Sequence, residues 1–288
     1  MMTLSARLVP LHVFWACSAL LLSCRPSADE SGTSRGTGAT SLSTGAAGED
    51  TADSCPELVS DGDVYVTPES DLSSLQAITV VRGDLNIARL EAVDELSMLR
   101  CVRRVEGDLI LWSNSSLTSL HGLSRLEAVG GGILVESNSL ESLSGLDSLR
   151  EVSSLAIRSN PRLAHLHLDG LERVGVLEVG YCHGGGPESD GALEGWGNRS
   201  LRELGEMSAL ESVETLRIEW NESLESLEGL LSVVDNGGTI GEIMIRHNQN
   251  LPTAEAQTLA GSVGAMGGIC GNLGDEDPAS CACDPSPP

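Results

Sequence analysis

The chain has 288 residues, with 17 basic against 42 acidic side chains and a formal net charge of -25. That balance excludes binding to a phosphate backbone, which needs a basic footprint, and so no nucleic-acid partner is expected. Aromatic residues make up only 2% of the sequence, so any core must be built from Leu, Val and Ile.

Residues 1–23 read as a lipoprotein signal peptide. Arg7 is the only charge before an apolar stretch from Leu8 to Leu22, which is shorter than the roughly 20 residues of a spanning helix. It ends Leu21-Leu22-Ser23-Cys24, similar to the bacterial lipobox, and Cys24 is the expected site of lipid attachment. Arg25 stands where an aspartate would retain such a protein at the inner membrane, which favours the outer membrane or the cell surface. Residues 24–54 are mostly Ser, Thr, Gly and Ala, a composition with too little apolar surface to fold, and they read as a flexible tether.

From residue 55 a phrase recurs: apolar-x-apolar-x-x-Asn, then a leucine about every third residue. It is clear at 109–117, 133–140, 155–163, 216–224 and 243–251, and weaker near 64, 85 and 177. The first apolar residues are Val64, Leu85, Leu109, Ile133, Leu155, Leu177, Leu216 and Ile243, so successive spacings are 21, 24, 24, 22, 22, 39 and 27. A period in the twenties predicts units that bury their apolar edges by stacking on one another. The expected fold is an all-β solenoid of about eight rungs over 55–252, a right-handed β-helix closed by a short C-terminal helical cap within 253–288.

The apolar-x-apolar pair alternates as a short strand does. Asn114, Asn138, Asn160, Asn221 and Asn248 lie five residues after the first apolar position, and Asn198 restarts the phrase after the long 39-residue step. Inward asparagines at a fixed slot can satisfy backbone groups as the chain leaves each strand, forming a structural ladder. The threefold leucines, such as Leu117, Leu120, Leu123 and Leu126, fit short, tightly turned segments. The long step contains an insertion near 180–197, rich in glycine, in which Trp196 is the residue of greatest functional interest.

Cys55, Cys101, Cys270, Cys281 and Cys283 are candidates for disulfides in an exported chain, with Cys270 paired to Cys281 or Cys283, and Cys55 to Cys101. Cys182 lies five residues after Leu177, on the Asn slot, and reads as a buried free thiol. A metal site with His183 is the lesser alternative. His165 and His167 are expected to face different ways.

Several phrases carry a family resemblance: Val105-Glu-Gly-Asp-Leu109-Ile-Leu111, the Leu-x-Ser-Leu-x-Gly-Leu runs at 117–123 and 140–146, and Asn250-Leu-Pro-Thr253 followed by Cys270-Gly-Asn272. Over about residues 60–265 the chain resembles the receptor L-domain family, which is leucine-rich-repeat-like and includes bacterial lipoproteins. The resemblance implies a scaffold for binding and names no chemistry. Where bacterial members are expected to carry a cysteine after Leu-Pro-Thr, this chain has Ala254.

Three enzyme-like phrases lack the context their chemistry needs. Gly32-x-Ser34-x-Gly36 falls in the tether and not on a strand-to-helix turn. His183-Gly-Gly-Gly186 follows that serine when it should precede it. Asp275-Glu-Asp277 lacks the spaced ligands of a calcium loop.

The residues between the inward ones should point outward. Ile110, Trp112 and Leu134 are expected to form an exposed apolar patch beside a Glu136–Arg158 pair, a candidate ligand-binding face that also takes in Trp196. The function expected is non-covalent recognition of a protein or glycan by a membrane-anchored envelope protein. No catalytic residue, metal or cofactor is expected. The alternatives are a structural envelope protein and a β-helical glycan-processing enzyme.

Overall fold

The computed structural model describes residues 55–183, 194–275 and 281. The signal peptide, Cys24, the tether, Cys283 and the interior of the insertion lie outside them. The chain divides into two units, Met1–Glu49 and Asp50–Pro288, and every described residue belongs to the second.

Nine strands form one all-parallel sheet in chain order: β2 (Val64–Val66), β4 (Leu85–Ala88), β6 (Leu109–Trp112), β8 (Gly132–Glu136), β9 (Glu151–Arg158), β10 (Arg173–Val179), β13 (Ser212–Glu219), β14 (Thr239–Arg246) and β15 (Met266–Cys270). Four short strands, β1 (Leu58–Ser60), β3 (Ile78–Val81), β5 (Arg104–Val105) and β7 (Ala128–Val129), form a second parallel sheet. An antiparallel pair, β11 (Cys182–His183) and β12 (Glu194–Gly195), closes the base of the insertion. The helices are α1 (Leu72–Leu75), α2 (Leu231–Asp235) and α3 (Thr253–Val263).

The large sheet is in register. Leu85 pairs with Leu109, which continues through Ile133, Leu155, Leu177, Leu216 and Ile243. These side chains and those two residues on, Ile87 to Ile245, are buried. Burying one aliphatic side chain contributes about 1.5–3 kcal/mol, so the periodic leucines supply most of the folding drive. The threefold leucines follow from backbone bonds that span three residues. The amide of Leu123 donates to the Leu120 carbonyl at 2.7 Å, and that of Leu126 to Leu123 at 2.8 Å. Each such step turns the next leucine back onto the core.

The expected fold class is overturned. Two all-parallel sheets of four and nine strands, with few helices, make an α/β fold; no closed solenoid, right-handed β-helix or leucine-rich-repeat-like receptor L coil forms among the described residues. The smaller sheet ends at β7. Beyond it, residues such as Glu151, Arg173, Ser212 and Thr239 extend the strands of the large sheet, which lengthen to seven or eight residues. One long strand then replaces the two short ones that a closed coil requires in each unit.

The asparagines run between the units as a chain of buried amides. Asn138 Oδ1 accepts from the Asn114 backbone N–H at 3.2 Å and from its Nδ2 at 2.8 Å. Asn138 Nδ2 donates to the carbonyls of Leu111 at 2.9 Å and Glu136 at 3.0 Å. The same pattern passes through Asn160, Asn198, Asn221 and Asn248 to Asn272. It starts at Leu90, whose N–H donates to Asn114 Oδ1. The residue before the ladder position is left-handed at Arg89, which precedes Leu90, and at Ser113, Ser137, Ser159, Trp220 and His247, which precede asparagines, with φ between 52° and 58°. That turn aims the amide inward. A second ladder, of aspartates, stands at the other end of the strands. Asp63, Asp84 and Asp108, each just before a strand, accept from the backbone N–H of Asp84, Asp108 and Gly132 at 2.7–2.9 Å.

Two disulfides join described cysteines. Cys55–Cys101 ties the start of β1's segment to the turn before β5, and Cys270–Cys281 ties β15 to the residues after it; both have Cα–Cα separations of 5.5 Å.

Candidate functional site

The outward residues of the large sheet line up across strands because the sheet is parallel and in register. Ile110 pairs with Leu134, and Leu134 with Ala156. One step on, Trp112 pairs with Glu136, and Glu136 with Arg158. The expected apolar patch is therefore contiguous, but not freely exposed: Ile110, Trp112 and Leu134 are half-buried. The large apolar side chains most open to solvent lie elsewhere, at Leu58, Tyr65, Leu231, Met266 and Leu273. The Arg89 guanidinium lies 5.0 Å above the Trp112 ring, which accounts for part of that residue's cover.

Beside the patch is a group of charges held out of solvent. The Arg158 Nε donates to Glu178 Oε1, and its Nη1 lies 4.0 Å from Glu136 Oε2. The guanidinium also stacks on the Tyr181 ring at 4.5 Å. Glu136, Glu178 and Glu219 are 8%, 7% and 3% exposed, unusual for carboxylates at outward positions of a sheet. Alternation alone puts them in water. Arg158 was expected to pair with Glu136, and the tighter partner is Glu178.

The insertion joins this group. Glu219 Oε2 accepts from the Cys182 backbone N–H at 3.2 Å, where the chain leaves the sheet. It returns at Trp196, whose N–H donates to the Tyr181 carbonyl at 2.9 Å and whose ring lies 6.1 Å from that of Tyr181. Gly180 makes the exit feasible: its φ is +77°, and a Cβ there would run into the Glu219 carbonyl. Beyond Glu219, the Trp220 Nε1 donates to Cys182 Sγ at 3.0 Å and its ring stacks on His247 at 4.8 Å.

Three expectations here are corrected. Cys182 is disulfide-bonded and not a free thiol, and it stands on the insertion while Asn198 fills the ladder slot. The disulfide also removes it as a metal ligand, and among the described residues no cluster of His, Cys, Asp or Glu could hold a metal ion. His165 and His167 do not diverge; their rings meet edge-on at 5.5 Å, and His165 Nδ1 lies 3.2 Å from Glu203 Oε1. Asp275 is a turn residue whose Oδ2 accepts from the Gly271 N–H at 2.5 Å.

Burial pushes the Glu219 carboxyl above the usual range, against the pull of Arg246, and burial likewise raises Glu136 against Arg158. A carboxyl raised in the folded state binds protons that the unfolded chain has released, so its contribution to stability is full at low pH. That contribution falls as pH rises from the ordinary carboxylate range through the raised value. Burial lowers the His247 pKa, aided by Arg246, and this acts in the opposite sense, adding stability as pH rises towards the ordinary histidine range. Glu219→Gln should therefore flatten the acid side of the stability profile. Urea denaturation between pH 4 and pH 7 would check it, and an unchanged slope would refute the assignment.

No family model matches this sequence, and no curated protein matches it. Among the described residues no helix is long and apolar enough to cross a membrane.

Proposed function

We propose that this chain is a lipid-anchored protein of the cell envelope, exported and held at the outer membrane or cell surface through Cys24. In this reading it recognises a protein or glycan non-covalently with the outward face of its large sheet. The observation that supports this best is the fixed row Trp112–Glu136–Arg158 beside Ile110 and Leu134. It joins apolar surface to charges whose geometry is set before any partner arrives. Preset polar groups lower the ordering cost of association, which is what a recognition surface needs. A purely structural envelope protein would not require apolar side chains at these outward positions.

The test is a double substitution, Trp112→Ser with Leu134→Ser, in the full chain. Capture of envelope components should fall at least tenfold, while the protein still unfolds cooperatively. Undiminished capture would reject this face as the recognition surface.

A further inference from the structure

We propose that Cys182 is joined to Cys283, and that this bond straps the C-terminal tail to the base of the insertion. The inference goes beyond the recognition reading and rests on it only for the processing of residues 1–24. The chain has eight cysteines. Cys182 is disulfide-bonded. Cys55 and Cys101 are bonded to one another, and so are Cys270 and Cys281. Of the three that remain, Cys17 lies in the segment read as a signal peptide, and Cys24 is the lipid site. Cys283 is left. A cysteine of another molecule is disfavoured as the partner, because Cys182 is only 4% exposed and exchange requires access to the sulfur.

Contacts across the strand ends lead from Cys182 to within two residues of Cys283. Cys182 Sγ accepts from Trp220 Nε1 at 3.0 Å. The Trp220 ring stacks on His247 with centroids 4.8 Å apart. The His247 ring in turn hydrogen-bonds with the Cys281 backbone. From β10 through β13 to β14 are two inter-strand steps, about 10 Å. Two residues of extended chain reach about 7 Å, and a disulfide spans about 5.5–6 Å between Cα atoms. From Cys281, Cys283 can therefore bond a cysteine up to about 13 Å away, which covers the distance.

The bond would act where the insertion begins. The Cys182 backbone N–H donates to Glu219 Oε2, and β11 and β12, the pair at the base of the insertion, are two residues each. Cys182 and Cys283 lie further apart in the chain than the partners in the other two bridges, whose separations are 46 and 11. A longer closed segment restricts the unfolded chain more. Formation of the bond breaks two S–H bonds and makes one S–S bond. The two protons and two electrons pass to a disulfide oxidant of the envelope, which becomes a dithiol.

The experiment is disulfide mapping of the full chain extracted from the envelope in mild detergent. Free thiols are alkylated before digestion with a protease that cuts before aspartate. Peptides 169–189, 235–274 and 277–283 then carry Cys182, Cys270 and the Cys281/Cys283 pair. All three should travel as one assembly that reduction separates, and fragmentation at Ala282 should place 169–189 on Cys283 and 235–274 on Cys281. Cys283→Ala should leave Cys182 open to alkylation on unfolding and lower the thermal midpoint by about 5 °C or more. Alkylated Cys182 or Cys283 in the unsubstituted chain, or peptide 169–189 held by Cys281, would overturn the assignment and leave the lipid anchor standing. A bond from Cys182 to Cys24 would overturn both. An unchanged midpoint for Cys283→Ala would overturn the role of the bond as a strap.

Discussion

Asn138→Ala should cost about 3 kcal/mol or more of folding stability. The side chain is 1% exposed and cannot exchange its partners for water. Its removal strips the Asn114 backbone N–H and the Leu111 carbonyl of their partners in one step. A buried polar group left unpaired costs about 1–3 kcal/mol, and at least two are created here, so the loss exceeds that of an ordinary hydrogen bond. Because Asn114 and Asn160 bond to the same amide, the cost should be non-additive. An Asn138→Ala/Asn160→Ala double variant should lose less than the sum of the singles, since the bond from Asn138 Nδ2 to Asn160 Oδ1 is counted twice. Equilibrium urea denaturation would measure both quantities. A loss under 1 kcal/mol for Asn138→Ala would show that the ladder does not hold the sheet together.

Arg158→Met should cost about 3–5 kcal/mol at pH 7, the range for removing one member of a buried charge group. The side chains of Arg158, Glu136 and Glu178 are 20%, 11% and 9% exposed, so the two carboxylates left behind are poorly solvated. Tyr181 would also lose the guanidinium stacked on its ring. The penalty should shrink on acidification. Burial already raises the Glu136 carboxyl and Arg158 opposes that rise, so in the variant Glu136 takes up its proton at higher pH and sheds the uncompensated charge. Arg173→Met is the control. Arg173 pairs with Glu151 and Glu211, but the three side chains are 47%, 60% and 62% exposed, and its loss should cost under about 1 kcal/mol. Equal penalties for the two arginines would show that the Arg158 group is an ordinary surface network.

The parts of the molecule readable from sequence are those fixed by a constant offset. Leu109, Ile133 and Leu155 recur at a near-constant interval, and parallel pairing brings such residues side by side. The asparagines follow at five residues because one left-handed residue ends each strand. That the units would not close into a coil was not readable, because whether a unit makes two short strands or one long one depends on its neighbours. Glu151-Val-Ser-Ser has no strong strand signal of its own and becomes strand by pairing with Arg173 to Val176. The aspartate ladder has its own signal in the repeated Gly-Asp before Val64, Leu85 and Leu109, fainter than that of the leucines because it recurs only three times. The buried carboxylates were not visible. Alternation assigns Glu136 and Glu219 to the outward face, and only contacts with residues 20 to 40 positions away in the chain shield them.

Recognition through the outward face of the large sheet is tested most directly by site-specific photo-crosslinking in intact cells. A diazirine side chain placed at residue 112 or 134 should form adducts with an envelope component, and the same group at Glu127 or Arg162, both exposed and outside this face, should not. Adducts of equal yield at all four positions, or adducts only at the two control positions, would contradict the account.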